Sequence, residues 1–123
     1  MTGYTLDAGA LIALDRDDRR VVSLLGRAAE LDLPITVPAT VLAQAIRNPA
    51  RQVRLAILLA APTTHVIPLD EDEAGEIGIL LAQSSTADIV DVVVCARRAN
   101  QIVVTSDSRD LRRLDPDLGL FSI

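Results

Sequence analysis

Ile102-Val103-Val104-Thr105 is an uninterrupted β-branched run that a soluble chain can only accommodate as a buried strand. It is preceded by Ile89–Ala99, which is strongly apolar. Val92-Val93-Val94 within it suits a strand as well, but the length of the segment and its ending Arg97-Arg98-Ala99-Asn100 favour a buried helix. The same alternation runs through the chain. Thr5–Asp7 reads as a first strand, Ala10–Leu14 as a short helix, and Val21–Leu31 as a helix with apolar residues at Val21, Leu24, Leu25, Ala28 and Leu31. Leu33–Val37 is a strand. Thr40 suits the cap of a helix carrying Val41, Leu42, Ala45 and Ile46, which Asn48-Pro49 ends. Arg51–Ala61 is helical, Val66-Ile67 a weak strand, and Asp70 opens a helix running to about Ser84. Ser84-Ser85-Thr86 reads as loop and cap, Asp107–Leu114 as a short helix or turn, and Leu118–Ile123 as an edge strand. Strands alternating with helices predict an α/β fold with a central, mostly parallel sheet.

The 123 residues fit a single domain, 1–123. Half are hydrophobic, yet Tyr4 and Phe121 are the whole aromatic set, so the core must be Leu, Ile, Val and Ala. The lone Cys95 suits inert core in a reducing, cytoplasmic setting. No apolar run approaches the roughly 20 residues that span a bilayer, and no signal peptide is recognisable. A net charge of −5 argues against coating nucleic acid by bulk charge. Every basic residue is Arg, however, and these cluster around Arg16–Arg20, Arg47–Arg54, Arg97-Arg98 and Arg109–Arg113, where they can hold phosphates locally.

The chemistry is carried by acids. Asp7 ends the first strand, and the crevice beyond the carboxyl ends of parallel strands is where such sheets bind ligands. Asp107 follows the clearest strand, with Asp110 three residues on. Asp88 and Asp91 lie three apart at the start of the apolar helix, on one face. Asp88 also suits a helix cap and Asp110 a solvated turn, whereas Asp91 sits inside an apolar helix, where an uncompensated carboxylate is costly. Carboxylates sharing a crevice raise one another's pKa values. A hard divalent cation reverses this, polarises a phosphoryl oxygen and acidifies its bound water. The glycines form no phosphate-cradling loop, and the single His65 reads as a surface or packing residue.

The segments Thr5-Leu6-Asp7-Ala8-Gly9-Ala10-Leu11-Ile12-Ala13, Val37–Ala43, Asp88-Ile89-Val90-Asp91 and Val104-Thr105-Ser106-Asp107 together resemble a PIN domain, and more closely the VapC-type ribonuclease toxins of bacterial toxin–antitoxin pairs. The resemblance spans nearly the whole chain. It implies a PIN-like three-layer α/β/α sandwich and a Mg²⁺- or Mn²⁺-dependent endoribonuclease that cleaves a structured or looped RNA. It implies a homodimer held in check by a cognate antitoxin. Carried over by position, it makes Asp7, Asp91 and Asp107 the catalytic, metal-binding acids. Asp88 and Asp110 become auxiliaries, and Thr105 or Ser106 orients the carboxylates. Gln44 stands where the family usually has Glu. An amide carries no charge. The resemblance is therefore also compatible with a catalytically weak module that mainly binds its antitoxin.

Overall fold

The computed structural model describes residues 2–82 and 87–123. Five strands form one sheet, β1 (Tyr4–Leu6), β2 (Ile35–Pro38), β3 (Thr64–Ile67), β4 (Ile102–Thr105) and β5 (Leu120–Ser122), in the order β3-β2-β1-β4-β5. Every pairing is parallel; Tyr4 stands against Ile35 on one side and Ile102 on the other. The central strands are buried almost throughout, and the partly exposed β3 and β5 form the edges.

The helices are α1 (Ala8–Asp15), α2 (Arg19–Glu30), α3 (Ala39–Ala45), α4 (Val53–Ala60), α5 (Glu71–Leu81), α6 (Ala87–Ala99) and α7 (Ser108–Leu114). Parallel crossovers are right-handed almost without exception, so the climb β1-β2-β3 and the return from β3 to β4 lay their helices on opposite faces. The packing agrees: α1 contacts α2 and α4, while α6 lies against β1 and β2 with α5 beside it. Val90 through Ala96 of α6 are all buried, Asp91 among them, so this helix is enclosed on every side.

Two local details differ from the sequence reading. Thr40 does not cap α3; Pro38 occupies that position without a side-chain bond, and the Thr40 hydroxyl reaches across to α6 instead. Beyond α3, the buried Gln52 closes the chain, its Oε1 accepting from the N–H of Arg47 and Asn48 and its amide donating to the Ala45 carbonyl. The helix expected from Arg51 consequently splits into a 3₁₀ turn at Pro49–Arg51 and α4. The loop and cap expected at Ser84-Ser85-Thr86 lie outside the described residues.

Opposite the carboxyl ends of the strands, Gln101 ties three of them together. Its Oε1 accepts from the Thr5 hydroxyl at 2.8 Å, and its amide donates to the carbonyls of Thr2 and Pro34.

Candidate active site

The chain leaves β1 in one direction and β4 in the other, so the sheet order reverses between these neighbours. At that point the loops after both strands part and open a crevice. The crevice is a cavity of about 90 Å³ lined by Asp7, Gly9, Val41, Asp88, Val92, Ser106 and Asp107, among others.

Asp7 is the cap of α1, and its conformation is fixed from three directions. Its Oδ1 accepts from the Ala10 N–H at 2.8 Å, and its Oδ2 accepts from the Thr105 hydroxyl at 2.5 Å and the Ser106 N–H at 3.3 Å. Thr105 is itself oriented, because its hydroxyl oxygen accepts from the Asp107 N–H at 2.7 Å. A hydroxyl has one proton to give, so this acceptance commits it to Asp7. Burial pushes the Asp7 carboxyl up from its ordinary pKa; the three hydrogen bonds pull against that, and the charge on Asp107 adds to it. Asp107 is raised too, by burial first, then by Asp110 and by the charge on Asp88. Asp7, Asp88, Asp107 and Asp110 thus form one electrostatic group.

The structure does not bring Asp91 into it. Three residues along a helix turn the side chain by about 300° and advance it about 4.5 Å, so Asp88 and Asp91 diverge by about 60°. Asp88, with Ile89 and Val92, faces the crevice. Asp91 is fully buried beneath, where its Oδ2 accepts from the Thr40 hydroxyl at 2.6 Å and its Oδ1 meets the Cys95 thiol at 3.5 Å. Gln44 does not reach Asp7 either; it is exposed and lines a separate hollow with Ile12, Asp15, Arg16, Arg47 and Arg51. The residue that α3 presents to the crevice is Val41. His65 is exposed on the edge strand β3.

Nothing in the sequence singles out Glu73 from Glu71 and Asp72, its fellow acids in the first turn of α5. Glu73 is buried, with Oε1 accepting from Arg98, and lies beside Asp91 and Cys95. Its spacing from Asp70, whose carboxylate accepts the Glu73 N–H at 2.8 Å, marks a helix cap and says nothing of the direction its side chain takes.

Gly9 lets the first turn of α1 approach Ser106, just after β4. A Cβ there would stand 1.8 Å from Ser106 Oγ and 2.8 Å from Ser106 Cβ. Gly9→Ala should therefore lower stability by about 1–3 kcal/mol through overpacking, despite the gain of up to about 1 kcal/mol that Ala brings to a helix. Ser106→Gly in the same background should recover most of the loss. Thermal denaturation of the single and double variants checks this; a Gly9→Ala protein as stable as wild type would contradict the contact.

No family model matches the sequence, and no curated protein does. Solved structures do match. VapBC2 from Rickettsia felis, bound to a DNA fragment from their promoter, has a chain that superposes with a TM-score of 0.72 at 19% identity, over 98% of each chain. FitAB bound to an IR36 DNA fragment matches with a TM-score of 0.67 at 18% identity, over 97% of this chain and 94% of that one. FitAcB from Neisseria gonorrhoeae matches at 0.62 and 18%, over 97% and 96%. The chain has a PIN-like fold. In PIN-like terms, the crevice between β1 and β4 is formed by the all-parallel sheet itself, and its acids come from the loops after those strands and from the first turn of α6.

Proposed function

We propose that this chain is a Mg²⁺- or Mn²⁺-dependent endoribonuclease and the toxin half of a toxin–antitoxin pair. The observation that carries the reading is the meeting of Asp7, Asp88 and Asp107 in one crevice at the switch point of a parallel sheet. The fold shared with VapBC2 and FitAB supports the toxin role.

The donor set fits a hard cation. It is all oxygen, with three carboxylates and the Ser106 hydroxyl lining the space, and both Asp7 and Asp107 are raised by burial first and then by neighbouring carboxylate charge. Asp7, Asp88 and Asp107 would hold the metal, which when bound supplies charge for the phosphoryl oxygens and an acidified water. The chain's own residues prepare the place. Thr105 and the N–H groups of Ala10 and Ser106 hold Asp7 in one orientation, so little reorganisation accompanies binding. Asp110 sits against Asp107 and keeps the local potential negative. Arg16, Arg47 and Arg51, in the hollow next to Gln44, are suited to RNA phosphates beyond the scissile one.

An antitoxin segment that silences the site would present an Arg to the carboxylates, because a guanidinium fork matches them. Val53 and Ile57, exposed one turn apart on α4, suit self-association into a homodimer. No helix of the described residues is long and apolar enough to cross a membrane, and we place the protein in the cytoplasm.

One feature favours a weaker catalyst, a module that mainly binds its antitoxin: α3 brings Val41, not a carboxylate, to the crevice. One experiment separates the two. Purified, antitoxin-free protein incubated with total RNA should give discrete cleavage products with Mn²⁺ or Mg²⁺ and none with EDTA. Intact RNA under all three conditions would leave the binding module as the surviving reading.

A further inference from the structure

We propose that Glu73, Asp91 and Cys95 form a second metal site, distinct from the crevice and suited to Zn²⁺. α5 contributes Glu73, and α6 contributes Asp91 and Cys95 at the i, i+4 spacing that stacks two side chains on one helix face. Among the described residues, this is the trio of Cys, His, Asp or Glu whose ligand atoms all lie within 4.8 Å of one another. Cys95 Sγ is 3.5 Å from Asp91 Oδ1 and 3.9 Å from Glu73 Oε1. A tetrahedral Zn²⁺ with Zn–S about 2.3 Å and Zn–O about 2.0–2.2 Å spans a sulfur-to-oxygen edge of roughly 3.5 Å, so the ligands need little movement to close on it.

The site is also built in other respects. Glu73 is 1% exposed and packed against Asp91, and no donor group reaches its buried Oε2, which a metal would satisfy. The Thr40 hydroxyl donates to Asp91 Oδ2, leaving Oδ1 toward the thiol, which is the outer support a ligating carboxylate requires. A cavity of about 320 Å³, lined by Thr36, Ile67, Glu73, Cys95, Arg98 and Ala99, opens onto both Glu73 and Cys95. It gives an ion a way in and a water room for the fourth position.

A divalent ion with two carboxylates and a thiolate carries one net negative charge, and Arg98, which donates to Glu73 Oε1 at 3.4 Å and to Glu76 at 2.7 Å, lies beside it as a shared counter-charge. Binding releases the thiol proton to solvent. The sulfur discriminates against Mg²⁺, which takes oxygen ligands, and this separates the trio from the crevice. The inference is independent of the ribonuclease reading.

Cobalt(II) tests it, because it takes the place of Zn²⁺ and absorbs in the near ultraviolet when a thiolate is bound. The full chain carrying Asp7→Asn and Asp88→Asn, with the crevice disabled, should still develop that charge-transfer band with a saturating equivalent of Co²⁺. Added Zn²⁺ should erase it. Cys95→Ala, checked for folding by circular dichroism, should lack it, and Glu73→Gln should weaken Co²⁺ binding by at least about tenfold. No band in the crevice-disabled protein overturns the proposal, as does a band that persists in Cys95→Ala. Zn²⁺ that fails to raise the melting temperature of the crevice-disabled protein leaves a trio held by protons alone, and overturns it too.

Discussion

Asp88→Asn is expected to lower RNA cleavage by roughly 10²-fold or more, while Asp91→Asn leaves it within a few-fold of wild type. The two residues lie one turn apart on α6 with the same side chain, yet their surroundings differ in kind. Asp88 lines the crevice with Asp7 and Asp107 and adds to the negative potential that raises Asp107. An amide at 88 keeps the shape and removes the charge that would attract a cation. Asp91 is fully buried and bonded to Thr40, and an amide oxygen can still accept that hydroxyl. Cleavage rates for both variants, at several Mn²⁺ concentrations, decide the matter. Equal losses would mean that Asp91 acts in the chemistry after all. A normal rate in Asp88→Asn would remove the crevice as the active site.

The second large effect is on stability. Glu73 is pushed up to a pKa of about 7, by burial first and then by its contact with Asp91. Its folded pKa is above the unfolded one, so the stability contributed by its neutral form is fully present below about 4.5 and is lost as pH rises through about 7. At one pKa unit per 1.36 kcal/mol, the loss reaches about 3 kcal/mol. Glu73→Gln is neutral at every pH, and its amide can donate to Asp91. In EDTA at pH 8 it should be more stable than wild type by up to about 3 kcal/mol, on the order of 10 °C in melting temperature. At pH 4.5 the two proteins should melt together. Taking the difference cancels groups of opposite sign, such as Asp115, whose carboxyl Arg97 holds below its ordinary range. Parallel melting-temperature curves for the two proteins from pH 4.5 to 8 would show that Glu73 carries no proton in the fold.

The residues legible in the sequence were those placed by chain continuity. Ile102–Thr105 became β4 with the bounds its apolar run indicated, and Asp7 and Asp107 had to sit at strand ends because the strands end there. The order of strands and helices was legible for the same reason. Side-chain direction within a helix was not. Asp88 and Asp91 share a face at coarse resolution, and only the packing of α6 against α3 and α5 decides which looks into the crevice and which into the interior. The same holds for Gln44, whose offset from Val41 turns it into the hollow beside Arg16. Thr40 has the chemistry of a cap, but Pro38 already fixes the extended backbone before α3, which frees the hydroxyl for Asp91. Glu73 gave no signal because an acid near a helix start is the commonest of solvated residues.

The bonds around Gln101 give the seam between β1 and β4 a second tie at its far end. At the amino ends, one side chain grips β4's approach, the segment before β1 and the segment before β2 at once. At the carboxyl ends, Asp7 accepts from the Thr105 hydroxyl and the Ser106 N–H, and its own N–H donates to the Val104 carbonyl. The seam is thus stitched by side chains at both ends, beyond the ladder itself. A slip of β4 by one residue would break both stitches at once, so the register that sets Asp7 beside Asp107 is guarded twice over.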